Sequence, residues 1–371
     1  MAKLGDIATY INGYAFKPQD WSDEGIPIIR IQDLTGNSYQ ANRYNGEYAS
    51  KYEVNDGDVL ISWSASLGVY IWHGEKAVLN QHIFKVVFDK ERISKDFFVH
   101  QVGLILENAA SDAHGATMKH LTKPVFDALP FYLPPYEKQC EIAEVLDKVT
   151  NLISLRKQQL SKLDELVKAR FVEMFGDPVV NSKRWPVETI ENHIDLLTGF
   201  PFDSSGYVSK GINICGGLII TPQKIDWSAC KHWPQVTGYE DYILRPNDIV
   251  IALDRPWISN GFKIAMVDKE HLPALLIQRT ARIRAVDINQ HYLMQSLLLG
   301  RFDKHCNITG SLVPHISPKD IKSYSIMIPP IELQNQFASF IERVNQQKQT
   351  VQQSLEKLEL MKKARMQEYF G

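Results

Sequence analysis

Two stretches of this sequence repeat each other: PPYEKQCEIAEVLDKVTNLISLRKQQLSKLDELVKARFVEMFG at 134–176 and PPIELQNQFASFIERVNQQKQTVQQSLEKLELMKKARMQEYFG at 329–371. They align without a gap, and 16 of their 43 positions are identical. The segments that precede them align more weakly, through Gly13-Tyr14-Ala15-Phe16 and Gly199-Phe200-Pro201-Phe202. Internal self-similarity of this kind is typical of duplicated structural units. The chain is therefore a tandem duplication whose ends stayed similar while its bodies diverged.

The repeated stretches predict two long helices. Neither 136–175 nor 331–370 contains Gly or Pro, and both are rich in Glu, Gln, Lys, Leu and Ala, which favour helix. The proline pair before each stretch suits a first helical turn, and Gly176 suits a helix end. Apolar residues recur at heptad spacing, which indicates a coiled-coil seam rather than an ordinary surface helix. The predicted seam consists of Ile142, Leu146, Val149, Ile153, Leu160, Leu163, Val167, Met174, Phe337, Ile341, Val344, Val351, Leu355 and Leu358.

The two bodies, residues 1–134 and 177–330, predict a different architecture. Each contains short β-rich runs separated by turn residues, together with a helical stretch at 95–110 or 290–301. The predicted strands are 26–31, 58–62, 83–88, 212–214, 248–253 and 280–286. The fold class is therefore α+β, with two β-rich domains in tandem, a helix at 135–176 between them and a helix at 331–371 after them. We expect the helices to pair as an antiparallel coiled coil with pseudo-two-fold symmetry.

The overall composition excludes several classes of protein. The chain has 371 residues, 44% of them hydrophobic, and 41 Lys and Arg against 43 Asp and Glu, so it is neither disordered nor polybasic. No apolar run approaches the roughly 18 residues that a membrane span needs, and a charge interrupts the start where a signal peptide has its apolar core. Four widely spaced cysteines suit a reducing compartment. We expect a cytoplasmic protein without membrane contact.

Motifs for catalysis and for cofactors are missing from the sequence. No G-x-G-x-x-G follows a predicted strand, no G-x-x-x-x-G-K-[ST] occurs, and the 11 histidines form neither H-x-x-x-H nor H-E-x-x-H. We therefore expect no catalytic residue, no metal site and no cofactor in this chain.

The order body, helix, body, helix suits a target with two separated and unequal halves. A helix of this length is about 60 Å long at about 1.5 Å per residue. Duplex DNA offers half-sites whose centres lie about one helical turn apart. The organisation therefore favours duplex DNA as the target.

The residues resemble those of the specificity subunit of type I restriction–modification systems, over essentially the whole chain. The matching stretches are GDVLISWSASLG at 57–68, LNQHIFKV at 79–86, and the proline pairs that precede each helix, followed by Glu137 and Gln139 or by Glu332 and Gln334. Each stretch alone is common, but the ordered set repeated around two heptad helices is specific. The second body departs from the pattern, because IVIALDRPW at 249–257 lacks the Trp-Ser-Ala-Ser form.

This resemblance implies a division of labour within a larger complex. Residues 1–134 and 177–330 would be two target recognition domains, each reading one half of a bipartite asymmetric DNA site. The spacer helices would set the gap between the halves, which we expect to be about 5–8 unread base pairs. The implied partners are double-stranded DNA, two methyltransferase (modification) subunits and restriction/translocase subunits. S-adenosylmethionine, ATP and Mg²⁺ belong to those partners, which methylate adenine or cleave DNA with ATP, so this chain would be non-catalytic.

Base reading requires polar side chains that pair with groove edges, such as Arg with guanine and Asn or Gln with adenine. Four of the candidates could equally well have a structural role in place of base reading, namely His120, His315, Gln81 and Gln278. The predicted DNA-binding residues are Ser64, Ser66, Asn80, Gln81, His82, Lys119, His120, Arg255, Ser259, Asn260, Lys263, Gln278, Arg279, Ser311 and His315.

Aromatic and basic residues near these positions have two interpretations each. Trp63 and Trp257 suit the core better than stacking on bases. Arg279, Arg282 and Arg284 predict one basic face of a strand, which favours phosphate contact over a merely solvated face.

Two other functions are compatible with two bodies on paired helices: a protein-interaction scaffold without DNA readout, and an enzyme that acts by itself. The near-neutral charge predicts that the chain alone binds DNA weakly, and that its partners supply much of the phosphate contact. Apolar residues outside the seam predict a partner surface on the helices: Leu152, Leu155, Leu166, Phe171, Leu360 and Met361.

Overall fold

A computed structural model describes residues 1–36, 42–112, 122–308 and 314–371. The chain divides into two compact units, one formed by residues 1–157 with 353–371 and the other by residues 158–352. Each unit therefore contains one body and parts of both long helices. The domain boundaries expected from the sequence fall at the ends of the helices, whereas these units divide the helices themselves.

The first body is built from short strands and one long helix that lie close to the predicted positions. Its strands are β1 (Ala2–Lys3), β2 (Thr9–Asn12), β3 (Ile26–Ile29), β4 (Arg43–Tyr44), β5 (Glu53–Val54), β6 (Val59–Ser62), β7 (Gly68–Ile71), β8 (Ala77–Leu79), β9 (Ile83–Val87) and β10 (Pro130–Phe131). Its helices are α1 (Leu4–Ile7), α2 (Ile31–Leu34), α3 (Lys95–Asp112) and α4 (Lys123–Asp127), and the long helix α5 (Tyr136–Phe175) follows.

The second body has the same kinds of element. Its strands are β11 (Val187–Thr189), β12 (Ile194–Thr198), β13 (Ile212–Cys215), β14 (Ile220–Thr221), β15 (Lys224–Ile225), β16 (Lys231–Trp233), β17 (Ile249–Ala252), β18 (Trp257–Ile258), β19 (Gly261–Phe262), β20 (Ile264–Met266), β21 (Ala274–Leu276), β22 (Thr280–Ala285) and β23 (Ser325–Met327). Its helices are α6 (Gln290–Leu299), α7 (Phe302–His305) and α8 (Pro318–Lys322), and the long helix α9 (Ile331–Phe370) ends the chain. The predicted spans 136–175 and 331–370 match α5 and α9.

The strand topology of the first body recurs in the second. One antiparallel sheet has the order β2-β9-β6-β7 in the first body and β12-β22-β17-β20 in the second. A second sheet has the order β4-β3-β8-β5 or β16-β13-β21, with a parallel pair, β3·β8 or β13·β21, in each. The small pairs β1·β10 and β11·β23 also correspond. The duplication therefore includes the bodies, although their sequences align only with several gaps.

The central strand of each antiparallel sheet is buried on both faces. In β6, Val59 and Ile61 pack with α3 and the start of α5, while Leu60 faces a second cluster that includes Leu79 and Ile83. β17 is divided in the same way between two apolar clusters. Because both faces lose contact with water, Val59-Leu60-Ile61 in β6 and the whole of β17 (IVIA) are continuous apolar runs and do not alternate.

The predicted seam residues are buried in the long helices, except that Leu160 and Leu358 are half-buried. Within the first unit, Lys157 on α5 forms an ion pair with Glu359 on α9 at 3.2 Å. Within the second unit, Lys348 on α9 pairs with Asp164 on α5. In the described part of the chain, no helix is both long enough and apolar enough to span a membrane.

One residue expected on a partner surface belongs to the core instead. Phe171 is fully buried, with its ring stacked on Tyr292 at 5.6 Å and set edge-on to Phe337 at 5.5 Å. The prediction for Phe171 was wrong, because the second body covers this part of α5 and the heptad pattern alone does not reveal that contact.

Candidate nucleic-acid interface

The candidate residues of the first body occupy two adjacent loops at one end of the antiparallel sheet. Ser64 and Ser66 follow β6, and Asn80, Gln81 and His82 connect β8 to β9. A hydrogen bond joins the loops, because the backbone N–H of Trp63 donates to the carbonyl of His82 at 3.2 Å. The structure therefore brings these predicted residues together.

The side chains in these loops differ in how far they are available to a ligand. Ser66 is exposed, and Gln81 and His82 are half-buried. Asn80 uses its side-chain oxygen locally, to accept the backbone N–H of Gln81 at 2.9 Å. Ser64 is buried with 6% exposed, so the prediction that Ser64 contacts DNA is not supported by its position.

The second body repeats this arrangement with different side chains. The backbone N–H of Leu253 donates to the carbonyl of Arg279 at 2.9 Å, as Trp63 does to His82. Gln278 donates its N–H to the carbonyl of Phe200 at 2.8 Å, as Gln81 does to Tyr14 at the same distance. The connection 277–279 is thus the structural equivalent of 80–82.

Two matched glycines allow this arrangement in both bodies. A Cβ atom at Gly13 would lie 1.9 Å from the carbonyl oxygen of Asn80, and one at Gly199 would lie 2.0 Å from that of Ile277. Any side chain at either position would collide with backbone. The close approach explains why both repeats keep a glycine in a region where the sequences otherwise diverge.

Charged and polar side chains gather at this end of the second body. Arg279 is exposed and donates from Nη1 to Oδ2 of Asp254 at 2.8 Å. Arg255 is exposed beside it, and its backbone N–H donates to the carbonyl of Pro314 at 2.7 Å. Residue 315 forms an isolated antiparallel bridge with Asp254, which brings His315 to the same place. Guanidinium groups can read guanine, and a carboxylate can accept from the amino group of cytosine.

The remaining predicted residues of the second body lie in two places. Ser259 and Asn260 are exposed at the turn between β18 and β19. Gln278 is exposed on the connection beside Arg279. Three predicted residues lie outside the described residues: Lys119 and His120 of the first body and Ser311 of the second.

Lys263 was wrongly predicted to contact DNA. Lys263 is only 7% exposed, and its ammonium donates to the carbonyl oxygen of Gly217. Burial lowers the pKa of this lysine, which reflects the cost of keeping its charge out of water. Lys263 is therefore a structural residue that holds the loop at 216–218.

The predicted basic face of β22 was also wrong. Arg282 pairs with Asp195 at 2.6 Å, and Arg284 pairs with Asp248 at 2.6 and 2.8 Å. The side chains of Arg282 and Arg284 are only 5% and 20% exposed. Because both charges are used in internal ion pairs, this face is not a phosphate-binding surface. No local sequence signal indicates these pairs, because each acidic partner lies far from its arginine along the chain.

The two tryptophans near the interface belong mainly to the core, as expected. Trp63 stacks on Phe84 with ring centroids 5.6 Å apart, and Trp257 stacks on Phe262 at 4.9 Å. Both are partly buried against the main apolar cluster of their own body.

A glutamine that the sequence showed only as a repeat match has a clear structural task. The side-chain amide of Gln139 donates to the carbonyl of Pro134 at 2.9 Å, and its oxygen accepts the N–H of Ser94 at 2.9 Å. Gln334 makes the same two bonds in the second unit, to Pro329 and from Asn289, both at 2.8 Å. The sequence feature that could have indicated this role is a glutamine five residues after the first proline in both repeats.

Metal binding finds no support in the described ranges. Across residues 1–36, 42–112, 122–308 and 314–371, no three His, Cys, Asp or Glu side chains are grouped in a way that could hold an ion.

The duplicated body, which carries polar loops at one end of its sheet, has counterparts among known proteins. Residues 1–165 and 235–360 match the family model described as type I restriction modification DNA specificity domain. The chain belongs to this family.

Two curated relatives illustrate the similarity. The type I restriction enzyme MjaVIII specificity subunit of Methanocaldococcus jannaschii is 25% identical over 386 residues, which cover 98% of this chain and 90% of that protein. The type I restriction enzyme EcoBI specificity subunit of Escherichia coli is 29% identical over 168 residues, covering 44% of this chain and 35% of that protein.

Solved structures share the fold. A chain from a study of complex assembly and conformational transition of the type I R-M system has a TM-score of 0.54 and 15% identity, covering 100% of this chain and 96% of that one. The type I restriction–modification S subunit from M. genitalium has a TM-score of 0.54 and 12% identity, covering 98% and 94%.

Proposed function

We propose that this chain is the DNA sequence-recognition subunit of a type I restriction–modification complex and that each body reads one half of a bipartite, asymmetric site. One observation carries the proposal. The loops after β6 and before β9 recur after β17 and before β22. Gln81 and Gln278 are shared, but Ala65 and His82 in the first body are replaced by Arg255 and Arg279 in the second. The same scaffold with different reading groups suits two different half-sites.

The long helices act as the spacer between the half-sites. We propose that they pair as an antiparallel coiled coil related by a pseudo-two-fold axis. Buried heptad residues support this pairing. Two ion pairs also support it, Lys157 with Glu359 in one unit and Asp164 with Lys348 in the other. The residue number increases along α5 from the first pair to the second and decreases along α9, as it does in antiparallel helices.

Methylation and cleavage are assigned to partner subunits, and this chain is non-catalytic in the proposal. Two methyltransferase subunits and the restriction/translocase subunits would bring S-adenosylmethionine, ATP and Mg²⁺. The support is a set of apolar side chains that stay exposed outside the seam, since such groups gain from being covered. They are Leu152, Leu155, Leu166, Leu360 and Met361.

The scaffold alternative, in which both bodies bind protein and DNA is irrelevant, is not favoured by the family of DNA specificity domains. Salt separates the two functions. For the chain assembled with its methyltransferase subunits, we expect affinity for duplex DNA to fall steeply between 50 and 200 mM salt, about tenfold or more, because phosphate contacts release counterions. An assembled complex that binds no duplex DNA at either salt concentration would support the scaffold.

A further inference from the structure

The loop at 216–219 in the second body presents one apolar side chain to solvent beside the proposed reading residues. Leu218 is 96% exposed, whereas Ile219 and Ile220 after it are 5% and 0% exposed. A single exposed leucine on a protein surface needs no explanation by itself. The rigidity and the surroundings of this loop distinguish Leu218 from an ordinary surface leucine.

The loop is fixed on both sides of Leu218. The carbonyl of Gly216 accepts the N–H groups of Ile219 at 3.1 Å and Ile220 at 3.4 Å. The carbonyl of Gly217 accepts the buried ammonium of Lys263. Burying a charge is costly, and the hydrogen bond from the buried Lys263 ammonium holds the Gly217 carbonyl in place. Leu218 therefore projects from a backbone that is rigid before any ligand binds.

The fixed loop lies against the connection that carries Gln278 and Arg279. A Cβ atom at Gly217 would lie 3.5 Å from Cβ of Ala252 and 3.8 Å from the carbonyl oxygen of Arg279. Leu218 therefore directly follows a glycine that lies close to the backbone of Arg279.

The first body has a polar residue at the equivalent position. Ile29 and Cys215 correspond, because each accepts a backbone N–H from the matched connection, at 3.1 Å from Asn80 and at 3.3 Å from Ile277. An i to i+3 turn follows in both, from residue 30 to 33 and from 216 to 219. Three residues after this matched pair, Gln32 in the first body is the equivalent of Leu218 in the second. The position changes from polar to apolar between the bodies, as a position that contributes to two different specificities would.

We propose that Leu218 is a specificity-determining residue, whose side chain contacts the 5-methyl group of a thymine in the major groove of the half-site read by residues 177–330. Apolar side chains recognise thymine in this way, because the methyl group distinguishes its groove edge from those of the other bases. The inference rests on the proposed function, since it requires that this body reads DNA.

The test is selection of bound sites from random duplexes by the complete complex, with the wild-type chain and with Leu218→Ala and Leu218→Met. We expect Leu218→Ala to lose about tenfold preference for thymine at one position of one half-site, and Leu218→Met, which keeps an apolar side chain, to retain it. The other half-site is an internal control. Val286→Ala is a matched control, because Val286 is 70% exposed at the opposite end of β22.

Each outcome decides the matter. An unchanged motif in Leu218→Ala would overturn the proposal, and so would an equal loss of affinity for all sequences in a variant whose melting temperature is unchanged. If the wild-type complex itself selects no bipartite motif, the proposed function fails, and that result is distinct from a bipartite motif that Leu218 does not influence.

Discussion

The side-chain oxygen of Gln139 accepts the backbone N–H of Ser94 at 2.9 Å, and this bond joins the start of the long helix α5 to the segment that leads into α3. Gln334 joins α9 to Asn289 in the same way at 2.8 Å. Both glutamines are 1% exposed. Each body is therefore attached to the start of its helix by a buried polar contact with fixed geometry.

Replacing this glutamine should destabilise the first unit. Gln139→Ala leaves the N–H of Ser94 and the carbonyl of Pro134 without their partner, which costs about 1–3 kcal/mol of unfolding free energy. Denaturant unfolding measures the loss. Asn151→Ala is the control, because Asn151 is exposed on the same helix within the first unit and should change stability by less than about 0.5 kcal/mol. Equal effects of the two substitutions would contradict the structural role of Gln139.

Two aspartates of the second body should differ sharply in their contribution to stability. Asp248 is 2% exposed and receives two bonds from Arg284, so Asp248→Ala leaves a largely buried guanidinium without its counter-charge and should cost about 3–5 kcal/mol. The pair of Asp254 with Arg279 is largely exposed, and Asp254→Ala should cost less than about 1 kcal/mol. Thermal and denaturant unfolding compare the two variants. A larger loss of unfolding free energy in Asp254→Ala than in Asp248→Ala would contradict this ranking of the two ion pairs.

Neutralising the exposed arginines should alter one half of the DNA site. Arg255→Ala and Arg279→Ala should each reduce discrimination by about 1–3 kcal/mol at one base pair read by residues 177–330, because each removes a guanidinium that can pair with guanine. Site selection by the assembled complex measures the change. Arg184→Ala removes the same charge from an exposed position outside the loops and should leave the motif intact. Changes in both half-sites would be incompatible with separate readout.

The stability of the second unit should depend on His291 in mildly acidic solution. Burial lowers the pKa of this imidazole, although Glu342 opposes the shift. The unfolded chain binds a proton below about pH 6.5, where the folded chain still resists protonation, so stability should fall as the pH drops through 6.5. His291→Gln should reduce the difference in unfolding free energy between pH 7.5 and 5.5. A His291→Gln variant that keeps the pH dependence of the wild-type chain would refute the role of His291.

Local patterns were sufficient to predict the long helices and the duplicated plan. Uninterrupted helix-forming residues with heptad spacing define α5 and α9, and repeated turn signals separate the short strands. These features depend on neighbours along the chain, which a single sequence displays directly.

The reading surface was only partly predictable, because it depends on contacts between residues far apart in sequence. Nothing near Lys263 indicates that its ammonium is buried against Gly217, and nothing near Arg282 and Arg284 indicates that Asp195 and Asp248 lie opposite them. Leu218 was not among the candidates because base reading was sought only among polar residues. The matched glycines at 13 and 199 were visible in the sequence. Only the fold shows why glycine is needed there, because a neighbouring backbone segment lies too close to leave room for a Cβ atom.

Methylome sequencing of a host that carries the complete system tests the central claim most directly. The account predicts one modified motif with two unequal specified halves, separated by about 5–8 unspecified base pairs, and exchange of residues 177–330 for another second body should change one half alone. A single contiguous motif, or a motif that loses both halves on that exchange, would contradict the assignment of one half-site to each body.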